Sequence, residues 1–251
     1  MASTATQAPE ASGNSISRIW NVLFSPKATF ASIAQKPTWL APILLSCVVS
    51  LGLFHVFGSR VGWQRAVERN IQNNPITARQ MDQMSPEQRQ QSINVQVKIY
   101  PYIFNILGVV GPFLFTLIIA AILLGLFKLG YGTQVNFKTS IGIVAYAFVP
   151  RILYALVGIL VIFLKDSSQI DIQNLLASNP GALLSPETTA RWLMVLATQI
   201  DFFTFWVMIL LAMGYHAANP KKISTGSAFA GIAGLWLIWV IVLVGFTAAF
   251  S

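Results

Sequence analysis

Five long apolar runs constrain the fold of this chain more than any other feature of its sequence. They cover about residues 39–57, 103–127, 141–164, 192–215 and 227–250. At about 1.5 Å per residue, a helix over each run can cross the roughly 30 Å hydrocarbon core of a bilayer with modest tilt. The sequence therefore predicts an all-α integral membrane protein in which residues 38–251 form a bundle of five transmembrane helices.

The composition supports a membrane protein and argues against a nucleic-acid partner. Hydrophobic residues make up 55% of the chain and charged residues 10%, whereas soluble domains are roughly 45–50% apolar. The formal net charge of +8 would suggest nucleic-acid binding in a soluble chain. Here the basic residues lie between the apolar runs, where they orient the helices in the bilayer. We therefore expect the lipid bilayer as a partner, and no nucleic acid.

The N-terminal region divides into a polar tail and an amphipathic segment. Residues 1–15 are small and polar and are predicted to be disordered. In residues 16–37, apolar side chains recur at helical spacing, and Ser25-Pro26 restarts the helix. This pattern predicts one or two helices on the membrane surface, although packing on the protein's own loops is an equally good interpretation. The expected membrane-surface contacts are Arg18, Trp20, Lys27 and Lys36.

The charges of the short loops predict the orientation of the chain. Basic residues occur in the N-terminal segment and in the loops after the second and fourth runs, which all fall on one side. The loop after the third run carries three acidic residues against two basic ones. By the positive-inside rule, the N-terminus is cytoplasmic and the C-terminus is extracytoplasmic. The basic loop of residues 58–102 runs against this assignment, but long loops follow the rule less strictly.

Two large loops share the same turn motifs. The motifs are Asn74-Pro75 and Ser85-Pro86 in the first loop, and Asn179-Pro180 and Ser185-Pro186 in the loop after the third run. In each loop, Asn-Pro ends one segment and Ser-Pro-Glu begins a helix, with serine as the N-cap. Gln88 completes a capping box in the first loop. Both loops fall on one side, so we expect a small helical extracytoplasmic cap; alternatively, both are ordinary helix starts.

The third apolar run carries a proline and an arginine near its middle. Pro150 leaves the carbonyl of Tyr146 without a helical donor, and Arg151 cannot face lipid without a cost of several kcal/mol. Asp201 is the only acidic residue within an apolar run, and it lies at a matching depth of about 15–16 Å. We therefore predict that Arg151 and Asp201 pair near the midplane, with Gln199 and the Tyr146 carbonyl as further partners. The pair either fixes helix register or forms a substrate or proton site.

A second proline lies within the run of residues 103–127. Pro112 follows Gly111 and frees the carbonyl of Gly108, so a helix break is expected there. Breaks in two spans are typical of transporters that bind substrates at mid-membrane, but they are also common packing devices.

The sequence contains no recognisable catalytic or metal-binding motif. His55 and His216 are expected at opposite ends of their runs, and there is no H-E-x-x-H, C-x-x-C, G-x-S-x-G or phosphate-loop pattern. One intramembrane aspartate is too few for proteolysis by paired carboxylates. We expect no enzyme activity, no cofactor and no metal.

Several short segments resemble the Yip (Ypt/Rab-interacting protein) domain family. They are residues 110–113, 129–132, 137–140 and 145–150, with residues 25–30 and 84–88 resembling its prokaryotic branch. The likeness extends from residue 18 onward and includes Gly111, Pro112, Tyr146 and Pro150. It implies a five-span α-helical protein with a cytoplasmic N-terminus, in the cytoplasmic membrane of a prokaryote.

Eukaryotic members of this family act in vesicle traffic and bind small GTPases and one another. Their glycine-proline motif follows Asp-Leu-Tyr, whereas Val109 and Val110 precede Gly111 here and no acidic residue is nearby. This difference argues against small-GTPase binding. For prokaryotic members, the resemblance implies a fold and no settled activity.

Three functions fit these features. The leading hypothesis is a non-enzymatic adaptor or organiser that acts through lipid contacts, self-association or another membrane protein. The alternative is a small transporter or channel in which Arg151 and Asp201 line a polar cavity between broken helices. The third is an envelope receptor or assembly factor that docks partners on the two outer loops. A polar cavity that reaches the pair would favour transport, and a dry, packed pair would favour the adaptor.

Overall fold

The computed structural model describes residues 14–167, 170, 172, 174–185 and 188–250. Of the predicted tail, residues 1–13 lie outside this part, and Ser15 is already helical. The α-helices are α1 (Ser15–Phe24), α2 (Pro26–Gln35), α3 (Leu40–Arg60), α4 (Trp63–Asn73), α5 (Pro75–Asp82), α6 (Pro86–Gly125), α7 (Phe137–Ala147), α8 (Val149–Leu164), α9 (Arg191–Gln199), α10 (Phe202–Ala218) and α11 (Thr225–Phe250). A π-helical turn (Leu126–Gly130) extends α6, and a 3₁₀ helix (Pro180–Leu183) precedes α9.

The predicted spans correspond to helices of the structure. Among the described residues, four stretches are long and apolar enough to cross a membrane: Leu40–Arg60, Pro86–Gly130, Phe137–Leu164 and Thr225–Ala249. The fifth predicted span consists of α9 and α10, which are bent by 44° where they meet. The prediction of an all-α membrane protein is confirmed, and the described residues contain four candidate spans, or five when the bent pair counts as one.

Prolines act differently in the second and third spans. α7 and α8 meet at Phe148, two residues before Pro150, so the third span is interrupted where a break was expected. α6 continues through Pro112, so the break predicted there is wrong. Next to the carbonyl of Gly108 that Pro112 frees, the thiol of Cys47 donates to the carbonyl of Val109 at 3.1 Å.

Contacts group the described residues into two compact units. The first contains residues 14–44, 116–149 and 207–232. In it, α1 and α2 pack on α7. A β-carbon added to Gly214 would lie 2.4 Å from Ile143 Cγ2 and 3.1 Å from the ring of Phe30, so only glycine allows this approach. The core of the first unit therefore depends on close contact between the N-terminal segment and the bundle.

The amphipathic segment has one apolar face on the protein and another that is exposed. On α1, Ile19 and Val22 are buried. Ile16, Trp20 and Phe24 are 62%, 64% and 80% exposed, respectively. The segment therefore packs on the protein with one face and presents a second apolar face outward, and its contact with the membrane surface stays a prediction.

The second unit, with residues 45–115, 150–206 and 233–250, contains the two large loops. Arg69 Nη1 donates to the carbonyl of Ile170 at 2.6 Å, and Arg65 donates to the hydroxyl of Ser167. An apolar cluster also joins the two loops; its buried members are Leu53, Phe57, Val61, Ile162, Ile170 and Leu175. The loops thus pack together as a cap.

Helix starts follow the sequence motif in the first of these loops but not in the second. The N–H of Gln88 donates to the hydroxyl of Ser85 at 3.3 Å, and the N–H of Ser85 donates to the side chain of Gln88 at 3.1 Å, which is a capping box. In the described part of the second loop, no α-helix begins at Ser185. Its carbonyl instead closes a turn by accepting the N–H groups of two threonines, and α9 begins at Arg191. Residues 186–187 of that motif lie outside the described residues.

Candidate functional site

Asp201 lies where α9 ends and α10 begins. Its Oδ1 accepts the backbone N–H of Thr204 at 3.1 Å, so the side chain caps the N-terminus of α10. An aspartate is favourable at this position because it satisfies an unpaired N–H group and interacts with the positive end of the helix dipole. The break in the fourth span was not expected, since it contains neither glycine nor proline. The buried carboxylate of Asp201 therefore also serves as the N-cap of α10.

Arg151 contacts both Asp201 and the first turn of α10. Its Nη1 lies 3.5 Å from Asp201 Oδ1, and its Nη2 donates to the Thr204 hydroxyl at 2.7 Å. The contact with Thr204 is a hydrogen bond, whereas the contact with Asp201 is an ion pair. The guanidinium also lies 5.7 Å from the centre of the Tyr154 ring, within the range of a cation–π contact. The structure thus brings together the two residues predicted to pair.

The further partners expected for Arg151 differ from those in the structure. The N–H of Phe148 donates to the carbonyl of Val144 at 3.1 Å and is also directed at the carbonyl of Tyr146, which Pro150 deprives of its usual donor. Gln199 is not among the described contacts of Arg151. Thr204 takes its place because the N-cap geometry of Asp201 brings the first turn of α10 next to the carboxylate.

A loop residue completes the surroundings of Asp201. The hydroxyl of Ser178 donates to Asp201 Oδ2, and its carbonyl accepts the N–H of Phe202 at 3.1 Å. The loop between the third and fourth spans therefore reaches the break between α9 and α10. Nothing in the sequence marks Ser178, which is one of several polar residues in that loop.

The two charges of this cluster differ in exposure. The Asp201 side chain is 7% exposed, whereas that of Arg151 is 41% exposed. Both carboxylate oxygens have donors, so the negative charge is neutralised within the protein. An ion pair of this kind is costly to disrupt, because removing either partner leaves the other charge without its counterion.

A second polar cluster surrounds Arg18 in the first unit. Arg18 is 5% exposed. Its Nη1 donates to the Lys36 carbonyl at 2.9 Å and to the Thr38 hydroxyl at 3.0 Å, and its Nη2 donates to the Ser32 hydroxyl at 2.6 Å. The expectation that Arg18 contacts lipid headgroups is therefore wrong, because its guanidinium is buried and both Nη atoms donate inside the protein, while the buried Nε has no acceptor among the described residues. Trp20, Lys27 and Lys36 do have exposed side chains.

Tyr146 extends the Arg18 cluster into a directed chain of hydrogen bonds. Its hydroxyl donates to the carbonyl of Ser15 at 3.0 Å and lies 3.1 Å from the Thr38 hydroxyl. A tyrosine has one hydroxyl proton, so Thr38 must donate to Tyr146. Fully buried Tyr146 thus links α7 to the first residue of α1. Of the family-like residues, it is the one that fastens the N-terminal segment.

The other family-like residues, Gly111 and Pro112, lie on α6. Gly111 and Pro112 are half-buried, and a β-carbon at Gly111 would meet nothing within 4 Å. The closely packed glycine of this region is Gly108, where a β-carbon would lie 3.1 Å from the Leu51 side chain. Gly108 precedes the glycine-proline motif by three residues.

Metal ligands are not grouped in the described residues. No cluster of three or more His, Cys, Asp or Glu side chains occurs among them. His216 Nδ1 instead lies 2.7 Å from the carbonyl of Ile223, across the turn that leads to α11. His55 is exposed on α3.

Comparisons with known proteins place this geometry in a family. Neither the curated proteins nor the solved structures contain a significant match to the chain. A comparison with protein-family models matches the Yip1 domain over residues 20–247. This match includes Tyr146, Arg151 and Asp201, and it covers the candidate spans up to residue 247 in α11. The chain therefore belongs to the Yip1 domain family of membrane proteins.

Proposed function

We propose that this protein is a non-enzymatic organiser of the membrane, acting through lipid and protein contacts in the bilayer. The observation that carries this proposal is the construction of α1. One face of this helix is fastened to the first unit through Arg18 and Tyr146, and the opposite face is apolar and exposed. A helix held in this way acts as a fixed contact surface.

The exposed face of α1 is a stripe of one residue per turn. Ile16, Trp20 and Phe24 follow one another at intervals of four and form what we call the α1 stripe. Lys27 is exposed just beyond it. From residue 14 to residue 67 the chain contains no aspartate or glutamate. An apolar helix face within a basic segment suits the interface of a bilayer that contains anionic lipids.

The Arg151–Asp201 cluster also favours an organiser over a transporter. The Asp201 carboxylate is occupied by a helix N–H, a hydroxyl and a guanidinium, so it serves the fold. A transporter or channel remains the second candidate because the Arg151 side chain is 41% exposed. That exposure would give a polar solute or a proton access to one member of the pair.

For the orientation, we propose a cytoplasmic N-terminus and an extracytoplasmic C-terminus in the cytoplasmic membrane of a prokaryote. The positive-inside rule and the family resemblance support this placement. It puts the α1 stripe at the cytoplasmic surface. Alkaline phosphatase fused after Ser251 should be active and a fluorescent protein there should be dark; the reverse result would contradict the orientation.

The test of the function is purification from native membranes in mild detergent, followed by protein and lipid mass spectrometry. Three forms are compared: wild type, a stripe variant (Ile16→Ser, Trp20→Ser, Phe24→Ser) and Arg151→Gln. A matched control carries serine at three exposed apolar residues of α11, Leu237, Trp239 and Ile241. Only variants with wild-type yield and monodispersity are compared.

An organiser predicts a membrane protein or anionic lipid that co-purifies near stoichiometrically with wild type and with the α11 control but not with the stripe variant. Loss of a small molecule in Arg151→Gln, with the stripe variant unchanged, would favour transport. If the stripe variant and the α11 control lose the same components, the α1 stripe has no special role and the proposal fails.

A further inference from the structure

The cap of the second unit contains a cavity of about 270 Å³. Its walls come from the end of α3, from α4, from α6 and from the loop after α8. The apolar side chains that line it include Phe57, Val61, Tyr100 and Phe104. This volume is just below the roughly 300–1,000 Å³ of small-molecule pockets. It is enough for a charged headgroup and the first carbons of a chain, but not for a whole lipid.

Two arginines line the polar side of the cavity. Arg65 and Arg69 are one helical turn apart on α4, so they lie on the same face. Arg65 is exposed, and its described hydrogen bond to Ser167 uses one of its five N–H donors. Glu68 is the carboxylate among the lining residues, and its Oε1 accepts a hydrogen bond from Gln64 at 3.0 Å. The lining therefore carries a net positive charge.

The residues that line the cavity lie at the ends of predicted spans, where a membrane helix meets the edge of the bilayer. Phe57 lies in the last turn of the first span, which ends at Arg60. Phe104 lies at the start of the apolar run of the second span. One side of the cavity thus belongs to membrane-spanning helices, and the other side belongs to the polar cap.

We propose that this cavity binds the head of an anionic membrane lipid, with Arg65 and Arg69 contacting the phosphate and Phe57 and Phe104 contacting the first part of the alkyl chain. Guanidinium groups recognise phosphate through charge-assisted hydrogen bonds, and the aromatic side chains provide an apolar wall. The site is separate from the α1 stripe, so its failure would leave the proposed organiser function intact.

The test is a binding titration of the full-length protein in neutral maltoside detergent. Dodecyl phosphate is the probe for the whole amphiphile, and inorganic phosphate is the probe for the anion alone. Arg65→Gln/Arg69→Gln removes the charges of the site, and Arg79→Gln/Arg89→Gln is the matched control with the same charge change on exposed residues of the same loop. Ala66→Phe fills the cavity and keeps both arginines.

Dodecyl phosphate should bind with one-to-one stoichiometry to wild type and to the control. Binding should weaken about a hundredfold in Arg65→Gln/Arg69→Gln, since each charge-assisted hydrogen bond is worth roughly a factor of ten or more. It should also be lost in Ala66→Phe, provided that this variant elutes as wild type in size-exclusion chromatography. If Ala66→Phe fails that check, Ala66→Leu replaces it.

Three outcomes would overturn the proposal. The first is equal binding in all variants, which would mean partition into the micelle. The second is unchanged binding in the filled variant, which would mean an association with surface charge only. The third is equally strong binding of inorganic phosphate, which would mean an anion site without a lipid chain.

Discussion

Arg18 in the first unit and Arg151 in the second are both held by hydroxyl groups, but only Arg151 lies beside a carboxylate. Arg151 is a mid-span residue, yet its side chain is 41% exposed. Arg18 belongs to the segment expected on the membrane surface, yet it is 5% exposed. In the described residues, the charge of Arg18 is compensated by three neutral oxygens rather than by an anion. Whether an arginine lies within an apolar run or outside one therefore does not determine how far its side chain is buried in the protein.

The difference between the clusters also lies in what they connect. The Arg151 cluster holds the bend of one broken span through Asp201 and Thr204. The Arg18 cluster holds a peripheral helix on the bundle through Thr38 and Tyr146. The first should govern whether the protein folds, whereas the second should govern whether α1 stays in place.

Replacing Asp201 by alanine should have the largest effect. The substitution leaves Arg151 without its counterion and α10 without its cap. We expect a loss of roughly 2–4 kcal/mol, less than for a fully buried pair because Arg151 is partly exposed. The measurement is folded yield and unfolding midpoint in an SDS titration.

Asp201→Asn separates the two roles of this residue. Asparagine is a good N-cap but has no charge, so the stability of the Asp201→Asn variant should fall between that of wild type and that of Asp201→Ala. Wild-type stability for both variants would show that the cluster does not hold the bend. A normally folded Asp201→Asn with an unfolded Arg151→Gln would contradict the pairing.

Replacing Arg18 by glutamine should have the next largest effect. Three charge-assisted hydrogen bonds are lost, but the cost of burying an uncompensated charge is also removed, so we expect a net loss of about 1–3 kcal/mol. Arg18→Lys should not restore stability, because an ammonium group cannot match the fork that reaches Ser32, Thr38 and the Lys36 carbonyl together. Thermal unfolding in detergent measures the stability of both variants. Wild-type stability of Arg18→Lys would show that the forked guanidinium geometry is not needed.

Tyr146→Phe should have a smaller and more local effect. It removes the donor to the Ser15 carbonyl and the acceptor for Thr38, at a cost of about 1–2 kcal/mol. Hydrogen exchange should become faster in α1 but not in α10. Tyr102→Phe is the matched control, since Tyr102 is 71% exposed. Unchanged exchange in α1 would mean that Tyr146 does not fasten it.

Trp20→Ser should have the smallest effect on stability. Because Trp20 is exposed, the unfolding midpoint in detergent should change by less than about 0.5 kcal/mol. The affinity of the purified Trp20→Ser protein for anionic lipid should nevertheless fall. Trp239→Ser on α11 gives the comparison, since Trp239 is similarly exposed. A large loss of stability in Trp20→Ser alone would show that the stripe is part of the protein core.

Hydropathy was sufficient to predict the spans, because lipid imposes one requirement on every spanning helix. The pairing of Arg151 with Asp201 could also be predicted, by counting residues along antiparallel helices. The bend at Asp201 could not be predicted in this way, since neither Ile200 nor Asp201 is a helix-breaking residue. It depends on Ser178, whose loop reaches the bend only in the folded chain.

The burial of Arg18 could not be predicted from the sequence, for a different reason. An apolar side chain in a membrane protein faces either lipid or protein, and helical periodicity cannot distinguish the two. Ile16, Ile19, Trp20 and Leu23 suggested one apolar face, but the structure buries Ile19 with Arg18 and exposes Ile16 and Trp20. The network of Thr38 and Tyr146 that compensates the arginine comes from distant parts of the chain.

The central claim is that α1 is fastened to the protein by one face and contacts the membrane with the other. Photo-crosslinking in proteoliposomes that contain a photoreactive anionic lipid, with labelled residues mapped by mass spectrometry, tests it most directly. The account predicts labels on Ile16, Trp20 and Phe24, none on Ile19 or Val22, and labels on Trp239 as an internal positive control. Labelling of Trp239 with no label on the α1 stripe would contradict the account.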